Sequence, residues 1–139
     1  MDLEFDNKKV LITGASRGIG LAIAESFLQE NAKICMVSRG SEALFINEKA
    51  LQSQYGAENV FAEKCDCTKV ESLNRLKKQI ESKWGGLDIV VANIGDGRSV
   101  LDVLPDDELW QKTWNNNFES ALKTARIFLP MLEKSSGCL

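Results

Sequence analysis

The apolar run Val10-Leu11-Ile12 passes directly into Thr13-Gly14-Ala15-Ser16-Arg17-Gly18-Ile19-Gly20, and apolar residues then recur at helical spacing through Ile19, Ala22, Ile23 and Phe27. A strand, a glycine turn and a helix in immediate succession leave few folds open, because this is the first half of a βαβ unit. Each glycine has a reason to be there. Gly14 lets the chain leave the strand in a sharp turn, Gly18 leaves the backbone open to close approach, and Gly20 lets the helix lie tight on the sheet. The free N–H groups and positive dipole end of that helix then face whatever anion the loop holds. The spacing is G-x-x-x-G-x-G rather than G-x-G-x-x-G, so the motif by itself also fits a plain strand-to-helix turn. Its place at the first strand–helix junction is what favours a nucleotide phosphate cradle.

The same alternation continues along the chain. Strands are expected at 8–13, 33–38, 60–64 and 87–92, and helices at 18–30, 41–55 and from Thr68 to Trp84, with a long helical stretch from Asp106 to about Glu133. Thr68-Lys69-Val70-Glu71 reads as a capping box, and Gly85-Gly86 as a helix stop. Gly95, Gly97 and Pro105 mark a loop after strand four. Parallel strands need crossover helices, so the chain is expected to form an α/β, three-layer, doubly wound parallel sheet. Four strands ordered 3-2-1-4 would put the ligand beyond the ends of strands one and four, where the winding reverses.

Composition narrows the function classes. With 44% hydrophobic and 27% charged residues the chain matches ordinary globular proteins. A net charge of −3 argues against nucleic acid or an anionic membrane surface as partner. Met1-Asp2-Leu3-Glu4 carries no basic and apolar leader pattern, and the expected location is cytoplasmic. There is no histidine, and Cys65-Asp66-Cys67 has no second pair; its two thiols would point to opposite faces if the segment were extended. No metal site is expected.

The segment Thr13-Gly14-Ala15-Ser16-Arg17-Gly18-Ile19-Gly20 resembles the N-terminal motif of the short-chain dehydrogenases and reductases, and the resemblance runs through the 139 residues. It implies a Rossmann-type fold and a nicotinamide cofactor held by Gly14, Ser16, Arg17, Gly18, Ile19 and Gly20. Ser38 takes the position where an acidic residue would grip the ribose of NAD(H), and Arg39 follows it. With Arg17 these favour NADP(H) over NAD(H), since guanidinium groups bind phosphate by charged, often bidentate hydrogen bonds. Asp66 and Cys67 match the adenine-binding segment after strand three; Asp66 also suits a helix N-terminus. Asn93, Ile94 and Gly95 match the family segment N-N-A-G, with Ala92 in place of its first asparagine and Ile94 in place of its alanine. Asp88 matches a sheet-bracing position. Asn117, in Trp114-Asn115-Asn116-Asn117-Phe118-Glu119-Ser120, matches the asparagine that holds a proton-relay water and is the one catalytic residue expected here. Three asparagines in a row also fit a kink or a polar helix face.

The family moves hydride between nicotinamide and a carbonyl or alcohol carbon, with a tyrosine as acid, a lysine four residues on and a serine. Tyr55 is the one tyrosine and has no lysine at that spacing. Gly137-Cys138-Leu139 resembles the opening of the family's fifth strand, before the serine. The resemblance therefore implies a single domain over residues 1–139, truncated at the start of strand five and inactive alone. The alternative is a non-catalytic nucleotide-binding or partner-binding half-domain. Trp110, Thr113, Trp114, Ala121, Ala125, Phe128, Leu129 and Leu132 form an apolar stripe, and the family's packing of this helix implies a homodimer or homotetramer at full length.

Overall fold

The computed structural model describes residues 3–96 and 103–139; Gly97 of the expected loop lies outside them. Four strands, β1 (Lys9–Thr13), β2 (Lys33–Ser38), β3 (Val60–Lys64) and β4 (Ile89–Val91), form one parallel sheet in the order β3-β2-β1-β4. Register is continuous, with Val10 beside Ile34 and Ile89, and Ile34 beside Val60. The strands are short and apolar on both faces because helices cover both faces.

Alternation along β1 and β2 divides the core in two. Val10, Ile12, Ile34 and Met36 pack with Ala24, Leu28 and Leu44 of helices α1 (Gly18–Gln29) and α2 (Glu42–Tyr55). Leu11, Cys35 and Val37 face the other way, onto Leu73, Leu76 and Ile80 of α3 (Val70–Trp84) and onto Phe128, Met131 and Leu132 near the C-terminus. This is the doubly wound, three-layer Rossmann-type arrangement. Asp88 ties its lower edge, its Oδ2 accepting from the Lys9 N–H at 2.9 Å.

Two local features differ from expectation. The capping box does not form. Lys69 is the residue before α3, and no side chain caps that helix. Thr68 instead gives its hydroxyl and its N–H to Asp66 Oδ1, at 2.6 and 3.0 Å, so an acidic neighbour two residues back has won the side chain. Nor is the long helix uniform. It runs as α4 (Asp107–Trp114), a π-helical turn (Asn115–Glu119) and α5 (Ser120–Ser135), so the three asparagines mark a wide turn. The apolar stripe splits accordingly: Phe128 and Leu132 are core, whereas Trp110, Trp114 and Leu129 are 43–59% exposed.

Beyond β4, on the side away from β1, Cys138 makes an isolated parallel bridge to Ile89. The Cys138 N–H donates to Asp88 O at 2.9 Å, and the Val90 N–H to Cys138 O at 3.0 Å.

Candidate functional site

The carboxyl ends of β1, β2 and β4 open on a cavity of about 920 Å³. Gly14, Ser16, Arg17, Ile19 and Gly20 line one wall, Ser38 and Arg39 a second, and Asn93, Ile94 and Gly95 a third. Ten of the expected cofactor-binding residues therefore meet in one place.

Close packing holds the glycine turn. A Cβ added at Gly20 would collide with the Gly14 carbonyl oxygen and lie 2.7 Å from Asn93 Nδ2, so only hydrogen fits between α1 and the turn. Gly18 has φ +58 and no atom within 4 Å of where a Cβ would stand, leaving its backbone open. Thr13 and Asn93 knit the turn to β4: the Asn93 N–H donates to Thr13 Oγ1 at 3.0 Å, and Asn93 Nδ2 reaches Gly14 O at 3.4 Å. From the other side Asn47 Nδ2 donates to Ser16 O at 2.9 Å.

The electrostatics suit an anion. No side chain caps α1, and its first turn holds no acid, so its leading N–H groups and dipole face the cavity uncompensated. At the tip of β2 stands Ser38, whose hydroxyl donates to Gly40 O, followed by exposed Arg39. Glu42 is the carboxylate on that wall, at the first turn of α2.

Asp66 lines an adjoining cavity together with Arg39. Partial burial would raise its pKa, but the two Thr68 hydrogen bonds, with Lys69 and Arg39 nearby, outweigh burial and hold the carboxyl below its ordinary value. Cys67 is 1% exposed and lies in the core, as does Cys65. The segment is not extended, so both thiols turn into the same cluster instead of opposite faces. A hydrogen bond between them lowers Cys65, against its burial, to about 7 and drives Cys67 up. Among the described residues no three His, Cys, Asp or Glu side chains gather to hold a metal.

Asn117 sits apart from the glycine cavity, on the π turn. Its Oδ1 accepts from the Asp96 N–H at 2.8 Å, and its Nδ2 donates to Thr113 O at 2.9 Å and Asp96 O at 3.3 Å. It thus pins the backbone immediately after Gly95, and with Trp110, Trp114 and Phe118 it lines an apolar recess of about 370 Å³. Sequence reading missed Ser41, Glu42, Ala43 and Asn47. Only Ser41 and Glu42 left a trace, as the polar start of a helix.

Residues 8–139 match the sequence model of the family described as short chain dehydrogenase. The chain belongs to the short-chain dehydrogenase family. It is 36% identical over 140 residues to an uncharacterised oxidoreductase of Bacillus subtilis, covering 99% of this chain and 51% of that one. It is 29% identical over 135 residues to the bovine NAD(+)-dependent 15-hydroxyprostaglandin dehydrogenase, covering 97% of this chain and 48% of that enzyme. Among solved structures, L-sorbose reductase from Gluconobacter frateurii, complexed with NADPH and L-sorbose, superposes with a TM-score of 0.88 at 34% identity. That match covers 96% of this chain and 51% of the reductase. The chain spans about half the length of the curated relatives it matches. Among the described residues no helix is long and apolar enough to cross a membrane.

Proposed function

We propose that this chain is the NADP(H)-binding half of a short-chain oxidoreductase, which moves hydride between nicotinamide and a small carbonyl or alcohol substrate. The observation that carries this reading is the cavity itself, where a glycine turn too tight for a Cβ and an uncapped helix N-terminus converge. The residues fit the group: Gly14, Ser16 and Gly20 would take the pyrophosphate on backbone N–H donors, and Asn93 to Gly95 the adjoining ribose. Ser38 and Arg39 would take the 2′-phosphate, and Asp66 the adenine. Nicotinamide supplies the hydride chemistry when bound. Asn117 would act on the proton side, by fixing the backbone at Asp96 and orienting a water. The NADPH complex of L-sorbose reductase supports the cofactor choice, and the NAD(+)-dependent bovine relative shows that the family as a whole does not decide it.

A turnover-competent site needs a tyrosine acid with its lysine. Tyr55, on α2, has Asn59 four residues on, so the 139 residues by themselves are expected to bind cofactor without turning it over. The exposed Trp110, Trp114, Phe118 and Leu129 support self-association of the whole protein through α4 and α5.

The test is Arg39→Ala. NADPH affinity should fall by about 1–3 kcal/mol, as for a lost charged hydrogen bond, with NADH affinity unchanged in a fluorescence titration. Equal losses for both cofactors would remove Arg39 from the 2′-phosphate.

A further inference from the structure

A second cavity, of about 480 Å³, adjoins the first at Arg39, which lines both. Its other cations are Lys64, Lys69 and Arg75, and its carboxylates are Asp66 and Glu71. Lys69 and Asp66 form an ion pair at 4.0 Å. No carboxylate among the described residues lies within ion-pair distance of Arg39, Lys64 or Arg75. Three unpaired cations thus share one hollow with one unpaired carboxylate, Glu71.

The fold fixes where these charges stand. The β2–β3 register sets Lys64 directly beside Ser38, and the Cys65 N–H donates to Ser38 O at 3.0 Å, locking the two strand tips together. Arg75 lies one helical turn after Ser72, whose Oγ accepts from the Asp66 N–H at 3.1 Å, so it rises on the face of α3 that borders Asp66. The strand tip that would carry the discriminating ribose contact is therefore flanked by positive charge from β3 and α3 as well as from Arg39.

We propose that Lys64 and Arg75 complete a phosphomonoester subsite with Arg39, and that its ligand is the 2′-phosphate of the cofactor. A dianion on a ribose suits a hollow bordered by three cations better than a ribose hydroxyl does, and guanidinium groups can grip it bidentately. Arg39 joins this hollow to the cofactor cavity, which favours the cofactor over a free phosphate as the source. The inference rests on the NADP(H) reading above and adds two discriminating residues to it.

The experiment titrates the 139-residue chain and its Lys64→Gln/Arg75→Gln variant with NADPH, NADH and 2′,5′-ADP, over a range of salt concentrations. Both side chains are exposed, so the variant should keep the parent's circular dichroism and melting temperature. The expected result is about fivefold weaker binding of NADPH and of 2′,5′-ADP, with NADH unchanged and the salt dependence for NADPH made shallower. Unchanged NADPH affinity in the variant, with the parent still preferring NADPH, would overturn the subsite and leave the cofactor reading standing. A parent that binds NADH as tightly as NADPH would overturn both. Inorganic phosphate that binds at saturating NADPH, and is lost in the variant, would overturn the assignment to the cofactor.

Discussion

Asp66 shows how one side chain can serve both a turn and a binding site. Its carboxylate takes two hydrogen bonds from Thr68, stands 4.0 Å from Lys69 Nζ, and borders the hollow that Arg39 shares with the main cavity. Because these contacts lower its folded pKa, its contribution to stability is present above the ordinary carboxylate value, near 4, and is lost as pH falls through the folded value. The parent should therefore exceed Asp66→Asn in urea midpoint at pH 6, and the gap should narrow and close as pH falls below the ordinary carboxylate value. A gap that persists unchanged in acid would show that the carboxylate's charge does not matter to the fold. Asp66 was legible in the sequence as a residue after strand three. Its capture of Thr68 was not, because Thr68-Lys69-Val70-Glu71 satisfies the capping pattern equally well on paper. The outcome turns on whether the threonine hydroxyl reaches forward to the helix or back to an acid two residues away.

At the scale of elements, the π turn decides the most. An α-helix running straight from Asp107 to Ser135 would place Asn117 differently; the widened turn sets its side chain against the backbone of Asp96. Replacing Asn117 by Ala removes both hydrogen bonds to Asp96 and costs about 1 kcal/mol of local stability, read as roughly fivefold faster hydrogen exchange at the Asp96 amide. Unaltered exchange there would mean that other contacts hold the segment. The strands and the sheet order could be read from the sequence because buried parallel strands are plain apolar runs and each glycine stop is unambiguous. The π turn could not, since one extra residue in a turn barely disturbs apolar spacing; three asparagines of poor helix propensity were the only sign. Neither Lys64 beside Ser38 nor Asn47 beneath Ser16 is visible in sequence, because each contact exists only after strands pair or helices dock.

For the molecule as a whole, the two faces of the C-terminal helical run have different fates. Phe128, Met131 and Leu132 are spent on the core, while Trp110, Trp114, Phe118 and Leu129 remain 43–59% exposed. Aromatic residues bury large areas at interfaces, and these four lie where a second copy could cover them. We expect light scattering of the full-length protein to give at least a dimer, and Trp110→Glu/Trp114→Glu to shift it toward monomer without loss of helix content. A full-length protein that is monomeric at all concentrations would show that this face serves no self-association.

The central claim, that the glycine turn and the start of α1 hold the cofactor's phosphates, is tested most directly at Ile19. This residue lines the cavity in the first turn of α1 with 75% of its surface exposed. Ile19→Asp leaves the core untouched and favours the helix dipole, so folding should be unimpaired, yet it sets a negative charge where the pyrophosphate would lie. Calorimetric titration with NADPH should show one saturable site in the parent and at least about tenfold weaker binding in Ile19→Asp, a cost of about 1.4 kcal/mol or more. Equal affinity in the two proteins would contradict the account, because a pyrophosphate bound at this helix start could not ignore the charge.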